Sequence, residues 1–179
     1  MSTVFDYDAP ETLLVTKPEQ FRAVADPLRA KIIALLRDRA RSTQELSHEL
    51  KIPKGTVGHH MKVLERAGLI KVVRTRRVRA VTEKYYGRTA RLFLYEGEQA
   101  PDLVAPVAAT TLRQAADEVG AGSVGSGFGL VRARLAPADV RRLQRRLTRL
   151  IDDFRACDTP DGVPWNFVSG LWRTDGRDA

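Results

Sequence analysis

The chain of 179 residues is poor in several residue types that would carry chemistry or cross-linking. It has one cysteine, Cys157, two tryptophans and two methionines, and only 7% of it is aromatic. A lone cysteine excludes an internal disulfide and fits a reducing cytoplasm. No run approaches the ~18–20 consecutive apolar residues of a membrane span. The first eight residues have neither the basic start nor the apolar core of a secretory signal. No Gly-Lys-Ser/Thr follows the glycine-rich stretch 120–129, and that stretch lacks a Gly-x-Gly-x-x-Gly between strand and helix, which excludes nucleotide binding there. No nucleophile stands paired with a base, so the expectation is a non-enzyme with no cofactor and no metal.

What is abundant is positive charge, and it is concentrated. The net charge of +8 divides into −3 over residues 1–16, +12 over 17–95 (19 lysines and arginines against 7 acids) and −1 over 96–179. A polyanion partner for the middle segment accounts for this. A GC-rich coding sequence would explain why arginine outnumbers lysine by 23 to 7, but not why acid is scarce in one segment only.

Residues 1–16 read as a loose arm or a strand-like lead-in. Phe21, Val24 and Ala25 share one side of a short helix. Asp26-Pro27 then restarts the chain as N-cap and first helical residue. Leu28, Ile32, Leu35 and Leu36 predict a helix over 27–38. Ser42-Thr43-Gln44-Glu45 is a capping box, with Ser at the N-cap and Glu three residues on. Its helix, with Leu46 and Leu50 on the apolar side, must stop near Ile52-Pro53. Val57, Met61 and Leu64 space a further helix that ends at Ala67-Gly68. The period then falls to two. Leu69–Val73 reads as a strand, Arg74–Arg79 as a basic connection, and Ala80–Tyr86 as the returning strand.

A second helical stripe runs from Leu103 through Val104, Val107, Ala108, Leu112, Ala115 and Ala116 to Val119, opened by Glu98. Residues 120–129, with five glycines, read as a flexible loop. Val131–Leu135 is a strand candidate. Pro137 opens a helix with Val140, Leu143, Leu147, Leu150 and Phe154 at alternating spacings of three and four. Asp161-Gly162 reads as a turn and Trp165–Trp172 as a last strand. The predicted class is mainly α with small β (α+β). It comprises an arm over 1–16, a winged helix-turn-helix over 17–95 and a C-terminal helical or α+β dimerisation region over 96–179.

Ala25-Asp26-Pro27-Leu28-Arg29, Thr43-Gln44-Glu45-Leu46 and the run Thr56-Val57-Gly58-His59-His60-Met61-Lys62-Val63-Leu64-Glu65-Arg66-Ala67-Gly68-Leu69 resemble the ArsR-type winged helix regulators, and Tyr85-Tyr86 fits their returning wing strand. The likeness covers about 70 residues. Residues 99–179 are more loosely similar to the accessory C-terminal region of larger actinobacterial members. The resemblance implies a homodimeric repressor, bound to a palindromic operator of double-stranded DNA and released by a small-molecule effector. It places 53–68 in the major groove with Lys54, Gly55, Thr56, His59 and Lys62 toward DNA, Thr43 or Gln44 against phosphate, and Arg74, Arg76, Arg77 and Arg79 in the wing. Because Val57, Met61 and Leu64 are buried in such a helix, Thr56, His59 and Lys62 turn outward, and Gly55 and Gly58 allow close approach to the duplex.

Two positions depart from the family pattern. Gly58 stands where serine is usual, and Ser47 where a small apolar residue is common. The Cys-x-Cys pair of thiolate metal sensors is missing from Thr43–Leu50, so metal sensing does not transfer.

The remaining features have plainer readings. His59 and His60 point about 100° apart on a helix and chelate poorly, which favours DNA contact for His59 and packing for His60. His48 with Glu45 or Glu49 reads as a solvated cluster, and Cys157 lacks an activating neighbour. Arg141, Arg142, Arg145, Arg146 and Arg149 are either a solvated face or a second nucleic-acid patch. The predicted dimer surface is Leu103, Val107, Leu112, Ala115, Leu143, Leu147 and Leu150, and it would hold two recognition helices about one DNA turn apart. An alternative is a winged helix that binds protein or RNA without sequence-specific DNA contact.

Overall fold

The structure is a computed structural model that describes residues 6–37, 39–78, 81–95, 101–121, 131–159, 162–163 and 165–172. Its elements run β1 (Thr12–Val15), α1 (Pro18–Val24), α2 (Pro27–Leu35), β2 (Arg41–Ser42), α3 (Thr43–Leu50), α4 (Lys54–Arg66), β3 (Ile70–Val78), β4 (Val81–Arg88), β5 (Leu92–Tyr95), α5 (Pro101–Ala121) and α6 (Pro137–Ala156). This is an α+β winged helix. The chain forms two compact units, one of residues 4–116 and one from Asp117 onward. Among the described residues no helix is long and apolar enough to cross a membrane.

In the first unit the short helices begin where local chemistry allows. Asp26 accepts a hydrogen bond from the Arg29 N–H at 2.9 Å, with Pro27 at the first helical position. Ser42 accepts from the Glu45 N–H at 3.3 Å while its own N–H donates to the Glu45 carboxylate at 2.7 Å. Two orphan donors of α3 are thereby satisfied. Gly68, at φ +71°, ends α4, and Leu69 N–H reaches back to the Leu64 carbonyl at 3.0 Å. That six-residue closure needs a left-handed residue, which glycine adopts without a Cβ penalty.

Phe21, Ile32, Leu36, Leu46, Val57, Met61, Leu64, Leu69 and Ile70 form the core of this unit. Each side chain of this size contributes about 1.5–3 kcal/mol when fully buried. The core takes in more than was predicted. Val107 is buried at 2% exposure, Leu103 and Val104 pack on the cluster, and Thr110 Oγ1 donates to the Ala25 carbonyl at 3.0 Å. The first half of α5 therefore belongs with the winged helix, past the predicted boundary at residue 95. Val107 is for the same reason not available to the predicted dimer surface, since the protomer's own core already covers it, whereas Leu103 is only half-buried. Leu112, at 44% exposure, remains on the surface, and Ala115 is half-buried.

The arm is not loose over its described part. β1 pairs in parallel with β5, Thr12 opposite Leu92 through Val15 opposite Tyr95. β2, β4 and β3 make a second, antiparallel sheet in that order. The predicted helix over 27–38 stops at Leu35, and Gly120, assigned from sequence to a loop, is the penultimate residue of α5. The rest of that glycine-rich stretch, 122–129, lies outside the described residues, as do Glu98 and Asp161.

In the second unit α6 forms as its spacing predicts, but it buries no residue. Leu143 and Leu147 are half-buried, and Leu150 is exposed. Residues 131–135 and 165–172 form no strand, contrary to expectation, because alternation makes a strand only where a neighbour takes up its N–H and C=O groups. Phe154 and Phe167 bring their rings to 5.4 Å, so the tail lies against the apolar end of α6.

Candidate nucleic-acid interface

The side of α4 that faces inward is set by Val57, Met61 and Leu64, all at 2% exposure or less. A helix with that stripe must turn the intervening residues out. Lys54, Gly55, Thr56, His59 and Lys62 are all exposed. A Cβ on Gly55 would meet nothing within 4 Å, so the first turn of α4 is open to a large partner. Gly58 differs. Its missing Cβ would lie 3.7 Å from Thr43 Cγ2, which places it at the contact with α3 rather than toward a duplex. His60 also turns inward, with Nδ1 3.8 Å from the Asp26 carboxylate.

The turn between α3 and α4 is held by a residue the sequence reading passed over. Lys51 adopts φ 55°, ψ 39°, a left-handed C-cap that costs a side-chain-bearing residue about 1–2 kcal/mol. Ser47 compensates locally, because its hydroxyl donates to the Ile52 carbonyl at 2.6 Å and the Ile52 N–H returns to the Ser47 carbonyl at 3.1 Å. The polar residue at this departure from the family pattern thus closes the turn. Thr43, predicted to touch phosphate, is half-buried and donates its hydroxyl to Met61 Sδ at 3.4 Å. Gln44 beside it is exposed, at the N-terminal end of a capped helix where anions are favoured.

In the wing, Arg74, Arg76 and Arg77 lie within β3 and not in a connecting loop, and Arg79 lies outside the described residues. A β-bulge between Val72 and Arg74 decides which way they point. Val72 pairs with Tyr86, but the next pair is Arg74 with Tyr85, then Thr75 with Lys84, Arg76 with Glu83 and Arg77 with Thr82. Directly opposed residues of an antiparallel ladder share a face, and one inserted residue transfers everything beyond it to the other face. Arg74 and Arg76 therefore share a face with Glu83 and Tyr85. Arg77, Lys84, Thr75 and Thr82 share the opposite one with Tyr86, which packs on the core. Burial, with Glu65 adding to it, raises the Tyr86 phenol above its ordinary pKa.

The two faces differ in charge. Arg74 lies 4.6 Å over the Tyr85 ring and 3.4 Å from Asp6, and Arg76 stands opposite Glu83, whose carboxylate accepts from the Tyr85 hydroxyl at 3.1 Å. Acid thus partly offsets that face. The other face presents Arg77 and Lys84 with no acid among its ladder residues. Lys84 was missed in the sequence because only the bulge and register reveal its company.

Residues 24–73 match the model of a family described as a helix-turn-helix domain. The HTH-type transcriptional repressor SmtB of Mycobacterium tuberculosis is 35% identical over 66 residues, which cover 37% of this chain and 49% of that protein. Residues 24–73 are thus similar to a helix-turn-helix domain, and the fold that holds them is a winged helix. An uncharacterized HTH-type transcriptional regulator of Methanocaldococcus jannaschii is 37% identical over 54 residues, covering 30% of this chain and 61% of the relative. The chain thus spans about half the length of the SmtB proteins it matches. Among solved structures, HlyU from Vibrio cholerae is similar at 23% identity and TM-score 0.36, over 55% of this chain and 87% of its own. The homodimeric winged helix-turn-helix DNA-binding domain of a Mycobacterium bovis protein is similar at 15% identity and TM-score 0.36, over 62% and 85%.

Proposed function

We propose that the chain is a sequence-specific DNA-binding transcriptional regulator, a homodimeric repressor on a palindromic operator. The observation that carries this reading is the face of α4. Lys54, Gly55, Thr56, His59 and Lys62 are exposed in a row opposite a fully buried stripe, in the segment that holds the chain's excess positive charge. α4 enters the major groove, Thr56 and His59 meet base edges, and Lys54 and Lys62 neutralise phosphate. The wing lays Arg77 and Lys84 along the neighbouring backbone or minor groove.

Dimerisation is assigned to the second unit. A 20-residue helix with an apolar stripe that buries nothing in one copy supports a second copy as its cover. Two heads held about one turn of DNA apart, ~34–36 Å, read a two-fold symmetric site. A small-molecule effector would release the operator by favouring a different spacing.

Selection of genomic fragments by the purified protein tests this. A recurrent inverted repeat is expected, and its binding should weaken when Arg76 and Arg77 are both replaced by alanine. A protein that selects no duplex, or that binds a protein or RNA partner undiminished by that double substitution, contradicts the reading.

A further inference from the structure

We propose that Tyr7 is a positioning residue that fixes the wing against the helix-turn-helix, with Gly87 as its seat. The inference rests on the DNA-binding reading above. The Tyr7 hydroxyl donates to the Leu36 carbonyl at 2.7 Å and accepts from the Arg88 N–H at 2.9 Å. One phenol therefore bridges the C-terminal end of α2, where a helix leaves its last carbonyls without internal partners, to the inner end of β4. The ring lies so close to the sheet that a Cβ on Gly87 would fall 2.6 Å from Tyr7 Cε2. Glycine stands there to admit the ring.

The neighbouring residue repeats the connection to the other wing strand. One Asp6 carboxylate oxygen accepts from the Ala40 N–H at 2.6 Å, just before the capping box, and the other lies 3.4 Å from Arg74 in β3. Two consecutive arm residues thus tie the segment that leads into α3 to both strands of the hairpin. Behind them, Pro10 and Glu11 accept from the N–H groups of Arg91 and Leu92 at 2.9 Å, anchoring the arm itself.

The reason such a tie matters is leverage. From Arg88 to Val81 the hairpin spans eight residues, about 25 Å of strand, so a 10° tilt at the base moves the tip by about 4 Å. A displacement of that size separates a phosphate contact from no contact. Tyr7 touches no DNA on this account. It acts by holding Arg77 and Lys84 at the height that α4 requires.

The test uses the full chain as wild type, Tyr7→Phe, Tyr7→Ala, Gly87→Ala and the Tyr7→Ala/Gly87→Ala double variant, on the operator selected by wild type. Affinity, melting temperature and the hydroxyl-radical footprint are read together. Tyr7→Phe keeps the ring and loses both hydrogen bonds. It is expected to bind about three- to tenfold more weakly, the net worth of roughly one hydrogen bond. Protection under the wing should fade while protection under α4 persists. Gly87→Ala should weaken binding in the Tyr7 protein and change it less than twofold in the Tyr7→Ala protein, because the clash is then gone.

A folded Tyr7→Phe protein with wild-type affinity and an intact wing footprint overturns the proposal, as does additivity of the Tyr7→Ala and Gly87→Ala effects. Failure of the DNA-binding reading looks different: wild type itself selects no duplex, and the positioning role falls with it even if melting still couples Tyr7 to Gly87.

Discussion

Replacing Gly58 by alanine should stabilise the protein, the reverse of what most core-adjacent substitutions do. Gly58 lies inside α4, and glycine in a helix interior is about 0.8–1.0 kcal/mol less favourable than alanine. The added methyl would sit 3.7 Å from Thr43 Cγ2, an ordinary van der Waals distance, so no clash offsets the gain. A stabilisation of about 0.5–1 kcal/mol is expected. For the unit of residues 4–116 this corresponds to a rise in melting temperature of roughly 2–6 °C. Urea unfolding followed by circular dichroism would show a higher midpoint with an unchanged slope. Operator affinity should move less than twofold, because the methyl points to α3. An unchanged or lower midpoint would refute the packing argument, and a large loss of affinity with the stability gained would place Gly58 against the duplex after all.

Ser42→Ala removes the hydroxyl half of the α3 capping box and should cost about 1 kcal/mol in the same unfolding assay, with Glu45→Ala less than additive to it; full additivity would mean the two halves do not act together. Arg77→Ala should lower the log–log salt slope of operator binding by about one unit per protomer, and Arg76→Ala by less, because Glu83 opposes Arg76 across the ladder; equal losses would contradict the assigned faces. Tyr95 is pushed up to about 12 by burial, against a smaller lowering by Arg88. Its folded pKa is above the unfolded value near 10, so its contribution is complete below pH ~10 and lost as pH rises toward 12. Tyr95→Phe should remove that part of the alkaline loss, and a phenolate signal at 295 nm that appears near pH 10 in the folded protein and is lost on Tyr95→Phe would argue otherwise.

The features that could be read from the chain alone are those whose physics is local. Ser42 and Glu45 need only each other to start α3, Val57, Met61 and Leu64 orient α4 by spacing, and Gly68 ends it by its conformational freedom. The family resemblance added the placement of a wing after α4. What could not be read depends on pairing between distant segments. The bulge after Val72 moves Arg74 to the face of Tyr85, and no pattern in β3 announces it. Nor does the parallel pairing of β1 with β5, some 80 residues apart, leave a local signature. Thr43 looked available for phosphate because its hydroxyl's bond to Met61 arises only when α3 and α4 cross. Val107 looked like part of an interface because an apolar stripe does not say whether its cover is intramolecular. Residues 131–135 alternate as a strand should, yet backbone groups without a neighbour form no ladder.

The most direct measurement is the dissociation constant of the selected operator as a function of salt between 50 and 200 mM, beside that of an unrelated duplex. A dimer that grips DNA with both recognition helices and both wings should show a log–log slope of several units, with the operator bound at least a thousandfold more tightly than the unrelated duplex. Equal affinity for both duplexes at every salt concentration would contradict the account.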